Sequence, residues 1–208
     1  MPNGFFITLE GIDGSGKTTQ AHRLAAWLRE RGCRVTLTRE PGGTPAGERI
    51  RALLLDPGAD LTPWAETLLY LADRAEHTAL VVRPALAAGD VVVSERYADS
   101  TLAYQGYGRG LDLAVIGPLS DLATGGLAPD LTLLLDISPE HAHRRKFGPA
   151  LAGADRLEQA DVEFHDRVAQ GYRALARGAR GRIQVIPSDA PLDAVFAAIA
   201  KAVEPRLR

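Results

Sequence analysis

Short apolar or β-branched runs alternate along the chain with segments whose apolar residues recur every three or four positions. Residues 5–10, 34–38, 91–95, 131–136 and 183–186 are the short runs, each the length of a buried strand. Between them the period changes to that of a helix. Leu24, Trp27 and Leu28 share one face of a helix predicted over 17–31, which Gly32 stops. A short helix follows over 46–55. Pro63 suits the first turn of a long helix over 63–87, with a kink or break near Arg83 because Pro84 falls inside it. Further helices are predicted over 111–124, from the Ser138-Pro139 start, over 160–177 and over 192–203. Segments 39–45 and 147–153 are too rich in Pro, Gly and Ala to be anything but loop. Strand–helix alternation throughout implies an α/β fold: one domain over 1–208, with a five-stranded parallel sheet covered by helices on both faces.

The turn after the first strand carries the most chemistry. Gly11-Ile12-Asp13-Gly14-Ser15-Gly16-Lys17-Thr18 matches the Walker A pattern at every fixed position, with a strand before it and a helix after it. Glycines let the backbone close around phosphate oxygens, and backbone N–H groups with the helix N-terminus supply positive potential. In such a loop Lys17 reaches the β- and γ-phosphates of ATP and the Thr18 hydroxyl joins the Mg²⁺ shell. The motif alone does not choose between a kinase, a GTPase and a mechanical ATPase. No Asn-Lys-x-Asp segment for guanine is present, which weakens the GTPase reading.

Composition narrows the classes further. The net charge of −2 argues against a nucleic-acid coat or a membrane-surface protein. No apolar run approaches the ~20 residues of a membrane span. The single cysteine, Cys33, excludes an internal disulfide and suits a reducing, cytoplasmic setting, and the first residues do not read as a signal peptide. His141 and His143, two apart on one helix, face different ways and make no metal site. The charged helix 161–177 reads as a solvated face.

Other segments carry a resemblance: Thr38-Arg39-Glu40-Pro41-Gly42-Gly43-Thr44, Leu69-Tyr70-Leu71-Ala72-Asp73-Arg74, Glu95-Arg96-Tyr97 followed by Ser100-Thr101-Leu102-Ala103-Tyr104-Gln105-Gly106, Leu135-Asp136-Ile137-Ser138-Pro139-Glu140 and Asp155-Arg156-Leu157-Glu158. In kind and order they resemble the thymidylate kinase family, P-loop enzymes that transfer the γ-phosphate of ATP to dTMP. The resemblance implies Mg²⁺ as cofactor, ATP and dTMP as small-molecule substrates, and a homodimer.

Carried over residue by residue, the resemblance makes Arg96 a contact to the dTMP phosphate near the transferring group, with Arg51 a second phosphate-side arginine. It assigns Asp13 to the sugar hydroxyl or to the metal-bound phosphates. Tyr70 and Arg74, one helical turn apart, hold thymine by stacking and by a bond to an exocyclic oxygen. Thr101 reads the pyrimidine edge, Tyr104 packs under the sugar and disfavours a 2′-hydroxyl, and Gln105 lies nearby.

The chain departs from the family pattern twice. Glu95 stands where an aspartate usually precedes the phosphate arginine, and it is assigned a catalytic place. Gly14 stands where one subgroup has an arginine, so the chain resembles the subgroup that supplies charge from a lid. That lid falls at about 144–158, and its basic residues are Arg144, Arg145, Lys146 and Arg156, with Arg145 the first candidate and Arg156 among the catalytic set. The rival readings are another nucleotide or deoxynucleoside kinase on the same scaffold, and an ATP-dependent switch without turnover.

Overall fold

The computed structural model describes residues 4–147, 162–179 and 181–207. Strands β1 (Phe5–Glu10), β2 (Val35–Arg39), β3 (Val91–Glu95), β4 (Leu131–Asp136) and β5 (Ile183–Pro187) form one sheet in the order β2-β3-β1-β4-β5. Every pairing is parallel. β1 runs beside β3 from Phe5↔Val91 to Leu9↔Glu95, and beside β4 from Ile7↔Leu131 to Glu10↔Leu134. That register puts Glu10 and Glu95 at the same end of the sheet.

Helices α1 (Lys17–Glu30) and α9 (Leu192–Val203) cover one face, where Leu24, Leu28, Val195 and Ile199 bury against Ile7, Leu9, Val93 and Leu133. On the other face α8 (Val162–Gly178) sets Phe164, Val168 and Tyr172 into a cluster with Ile12, Tyr104 and Leu134. Burial from both sides is why the strands are apolar runs with no alternation.

Helix starts follow local chemistry. Thr44 caps α2 (Pro45–Leu55), accepting from the Gly47 N–H at 2.9 Å with Pro45 in the first turn. Asp112 caps α6 (Leu113–Thr124), so that helix begins two residues later than the apolar pattern suggested. The helix expected over 63–87 is divided as Pro84 requires. α3 (Pro63–His77) passes through a π-type turn at Thr78–Val82 into α4 (Arg83–Ala87). A short helix α5 (Ala98–Thr101), which the sequence pattern did not suggest, leads into a second π-type turn at Leu102–Gly108.

Helix α7 (Pro139–Phe147) carries regular structure through the first residues of the expected lid and takes in Phe147, where the Gly-, Ala- and Pro-rich composition predicts loop. The remainder of that lid, Arg156 included, lies outside the described residues. Among the described residues no helix is long and apolar enough to cross a membrane.

Candidate active site

The first crossover, through α1 and β2, lies on one side of β1, while β4 lies on the other. A crevice therefore opens at the strand ends where the order reverses. A cleft of about 450 Å³ occupies it, running from the P-loop to Tyr70, Thr101 and Gln105.

The loop is glycine-rich for steric reasons that can be named. A Cβ on Gly11 would stand 2.6 Å from the Leu135 carbonyl oxygen, and one on Gly14 would overlap the Ala142 carbonyl of α7. Both residues also adopt positive φ, which side chains disfavour. Lys17 opens α1, and its Nζ donates to the carbonyls of Gly11 at 3.0 Å and Ile12 at 2.9 Å. Burial, then the nearby Arg96, push its ammonium down to about 7. The charge is thus held at a cost that an anionic phosphate would relieve.

Arg96 is the hub. It is the one non-glycine with positive φ among the described residues, at 69°, a conformation that costs energy and persists only where surroundings impose it. Its Nη2 donates to Asp13 Oδ1 at 2.7 Å and to the Tyr104 hydroxyl at 2.9 Å. Its Nη1 donates to Ser100 Oγ, the Tyr172 hydroxyl and the Gly11 carbonyl at 3.1–3.3 Å. Burial opposes its charge, but Tyr104 and Asp13, with Tyr172 and Glu10, outweigh it and hold the guanidinium above its ordinary range. Asp13 also accepts from the Tyr104 hydroxyl at 3.1 Å and lies 3.9 Å from Lys17 Nζ. The P-loop, the arginine assigned to the acceptor phosphate and the tyrosine assigned to the sugar are therefore one connected unit.

At the far end, Tyr70, Thr101 and Gln105 line the cleft, as does Arg51, whose Nη1 donates to the Pro41 carbonyl at 2.9 Å. Arg74 is held just behind them. Its Nε donates to Glu40 Oε2 at 2.8 Å, Nη1 to Thr101 Oγ1 at 2.8 Å and Nη2 to the Tyr97 carbonyl at 2.9 Å. Its guanidinium keeps N–H groups beyond those three bonds.

Among the described side chains of the expected lid cations, Arg145 is turned to the cleft. Its Nη1 donates to the Ser188 carbonyl at 2.9 Å and passes over Gly16. Ser188 in turn donates from Oγ to the Ser15 carbonyl at 2.6 Å, tying the β5–α9 loop to the P-loop. Arg144 instead pairs with Glu140 on the exposed face of α7.

The donor set suits Mg²⁺. Thr18 Oγ1 donates to Glu95 Oε2 at 2.7 Å, so a hydroxyl and a carboxylate stand together at the mouth of the P-loop, and the longer glutamate reaches that position. Among the described residues no group of three or more His, Cys, Asp or Glu could hold a metal.

The sequence reading missed residues behind the cleft. Glu10, fully buried, accepts from the Tyr97 N–H at 2.7 Å, from Ser100 Oγ at 2.6 Å and from the Tyr172 hydroxyl at 2.8 Å. A lone carboxylate ending an apolar strand was a visible signal. Tyr172 continues the i, i+4 series Phe164, Val168, Tyr172, so the helix read as a solvated face buries one side in the site. Glu40 and Glu66 were also passed over, though the first lies in a quoted motif.

With this geometry in hand, comparisons with known proteins are specific. The family model described as thymidylate kinase matches residues 9–199. A thymidylate kinase of Synechococcus sp. (strain JA-2-3B'a(2-13)) is 55% identical over 203 residues, covering 97% of this chain and 95% of that protein. One of Deinococcus radiodurans is 50% identical over 210 residues, covering 99% of each. The crystal structure of thymidylate kinase from Ehrlichia chaffeensis superposes with a TM-score of 0.81 at 36% identity, covering 98% of this chain and 99% of that one. The all-parallel five-stranded sheet, the complete P-loop and these matches over nearly the whole length agree: the chain belongs to the thymidylate kinase family.

Proposed function

We propose that this chain transfers the γ-phosphate of ATP to dTMP, giving dTDP and ADP. The observation that carries the reading is the single cleft that joins the P-loop, through Arg96 and Tyr104, to Tyr70, Thr101 and Gln105. One end suits a nucleotide triphosphate and the other an aromatic base, with the phosphate arginine between them.

In this reading the dTMP phosphate oxygen attacks the γ-phosphorus in line, and the protein orients two anions and stabilises the charge spread over the transferring group. Lys17 releases its loop carbonyls to the β- and γ-phosphates. Arg96, already charged and fixed by Asp13 and Tyr104, binds the acceptor phosphate through its planar fork. Arg51 adds a second cation on that side. Arg145 supplies positive charge from α7, where Gly14 supplies none. Thr18 and Glu95 are the side chains that would hold Mg²⁺, which neutralises phosphate charge when bound. Tyr70 stacks on thymine, and Arg74, steered by Glu40, donates to its edge beside Thr101.

A homodimer and a cytoplasmic location belong to the same reading. The exposed Leu53, Leu68, Val115 and Leu122 on the neighbouring helices α2, α3 and α6 support the first, and the lone cysteine supports the second. The test of function is ADP formation from ATP and Mg²⁺ across nucleoside monophosphates. dTMP should be the best acceptor, with dUMP lower by ~10–200-fold for one methyl group. CMP, AMP or GMP outperforming dTMP would refute the proposal.

A further inference from the structure

Glu66 lies in the first turn of α3, fully buried, and phosphoryl transfer makes no use of it. Its Oε1 accepts from Gln105 Nε2 at 2.8 Å and from Arg109 Nε at 3.3 Å, and its Oε2 accepts from Arg109 Nη2 at 3.0 Å. The Arg109 fork donates to both carboxyl oxygens, so each acts as an acceptor toward its neighbours. So only the NH₂ group of Gln105 can face it. An amide is planar, with NH₂ and carbonyl on opposite sides, and the Gln105 carbonyl is consequently turned away from Glu66. Gln105 lines the cleft beside Tyr70 and Thr101, and its Oε1 takes no partner among the described residues yet is not a buried orphan.

We infer that Glu66 is a specificity-determining positioning residue: by accepting from Gln105 Nε2 it aims the Gln105 carbonyl into the cleft, so the site offers an acceptor to the base edge. This rests on the reading of that end of the cleft as the dTMP base site. The consequence is chemical selection at one ring atom. Thymine and uracil carry N3–H, a donor that the carbonyl satisfies. Cytosine carries a lone pair at N3, so two acceptors would face each other and neither would gain a hydrogen bond. A site built to receive a donor rejects the analogue without one far more strongly than a missing methyl group does. Glu66 touches no substrate and acts only through the amide it orients.

The test is the ratio of kcat/KM for dTMP to kcat/KM for dCMP, with folding checked by circular dichroism. Glu66→Gln keeps shape but can present either a carbonyl or an NH₂ group, so Gln105 is no longer confined to one orientation. The ratio should fall by at least ~10-fold, mostly by a gain on dCMP. In a Gln105→Ala background, where the ratio is already low, the same change should move it less than ~2-fold. A role limited to bracing α3 would lower both kcat/KM values together, and an unchanged ratio in a folded Glu66→Gln protein overturns the inference. If that variant does not fold, ¹⁵N-labelled wild-type protein decides. The Gln105 NH₂ protons should stay protected from exchange in the dTMP complex, and loss of protection on binding overturns the inference. A wild-type enzyme that does not prefer dTMP would instead refute the function proposed above.

Discussion

Glu10→Gln should make the protein more stable at pH 8 and leave it nearly unchanged at pH 4.5. Burial, with the Asp99 carboxylate next, pushes the Glu10 carboxyl from its ordinary 4.5 up to about 7. Its folded-state value is thus raised above its unfolded one. Between those two pH values the folded chain binds the proton and the unfolded chain does not, so stability falls as pH rises. The rise is worth about 3 kcal/mol across the whole window. Glutamine reproduces the protonated acid: its carbonyl can accept from the Tyr97 N–H, and its NH₂ can donate to Ser100 and Tyr172, whose hydroxyls can turn to accept. Urea unfolding of both proteins at pH 4.5, 6, 7 and 8, at one protein concentration, gives the difference at each pH. Subtraction cancels groups that titrate there independently of Glu10, such as Asp73, which burial also lifts to about 7. The variant should gain on wild type by roughly 3 kcal/mol from pH 4.5 to 8. A difference that stays constant within ~0.5 kcal/mol across that range would refute the reasoning.

Lys17→Ala should lower kcat by at least ~10²-fold, as the loss of one preorganised donor does elsewhere, and near-normal turnover would remove it from the phosphate cradle. Arg145→Ala should lower kcat by ~10-fold or more with KM for dTMP nearly unchanged, whereas Arg144→Ala, whose partner is the exposed Glu140, should leave kcat alone. Gly14→Ala should cost about 1–2 kcal/mol from its positive φ alone, read as a drop of roughly 2–8 °C in Tm, and more if the Ala142 carbonyl cannot move; an unchanged Tm would contradict the described packing.

Much of this molecule is legible in the chain because each signal there is local. Buried parallel strands must be apolar throughout, so the five runs stand out; β1, β3 and β4 agree with the expected bounds residue for residue. Pro84 announced a break, and the π-type turn at Thr78–Val82 is where the backbone accommodates it. The P-loop is a local motif with a local structural consequence. What stayed hidden depends on long-range pairing. Tyr172 meets Glu10 across 162 positions, and Glu66 meets Gln105 across 39, so no window of sequence contains either pair. The assignment of Arg74 to thymine came from resemblance; that Glu40, Thr101 and Tyr97 hold its guanidinium came only from the fold.

The departure at Gly14 and the orientation of Arg145 have one physical origin. α7 comes so close to the P-loop that the Ala142 carbonyl occupies the space where any side chain at position 14 would begin. An arginine there would have to displace the helix, since a carbonyl in a helix cannot swing aside as a side-chain tip can. Yet the same approach is what brings a cation to the loop: Arg145 lies three residues, about one turn, beyond Ala142, on the same side of α7. From there its guanidinium reaches over Gly16 to Ser188, whose hydroxyl is bonded to the Ser15 carbonyl. The two arrangements therefore exclude each other sterically. A chain that packs this helix on the loop must leave position 14 as glycine and carry its charge on the helix, and a chain with arginine at position 14 must hold the helix farther away.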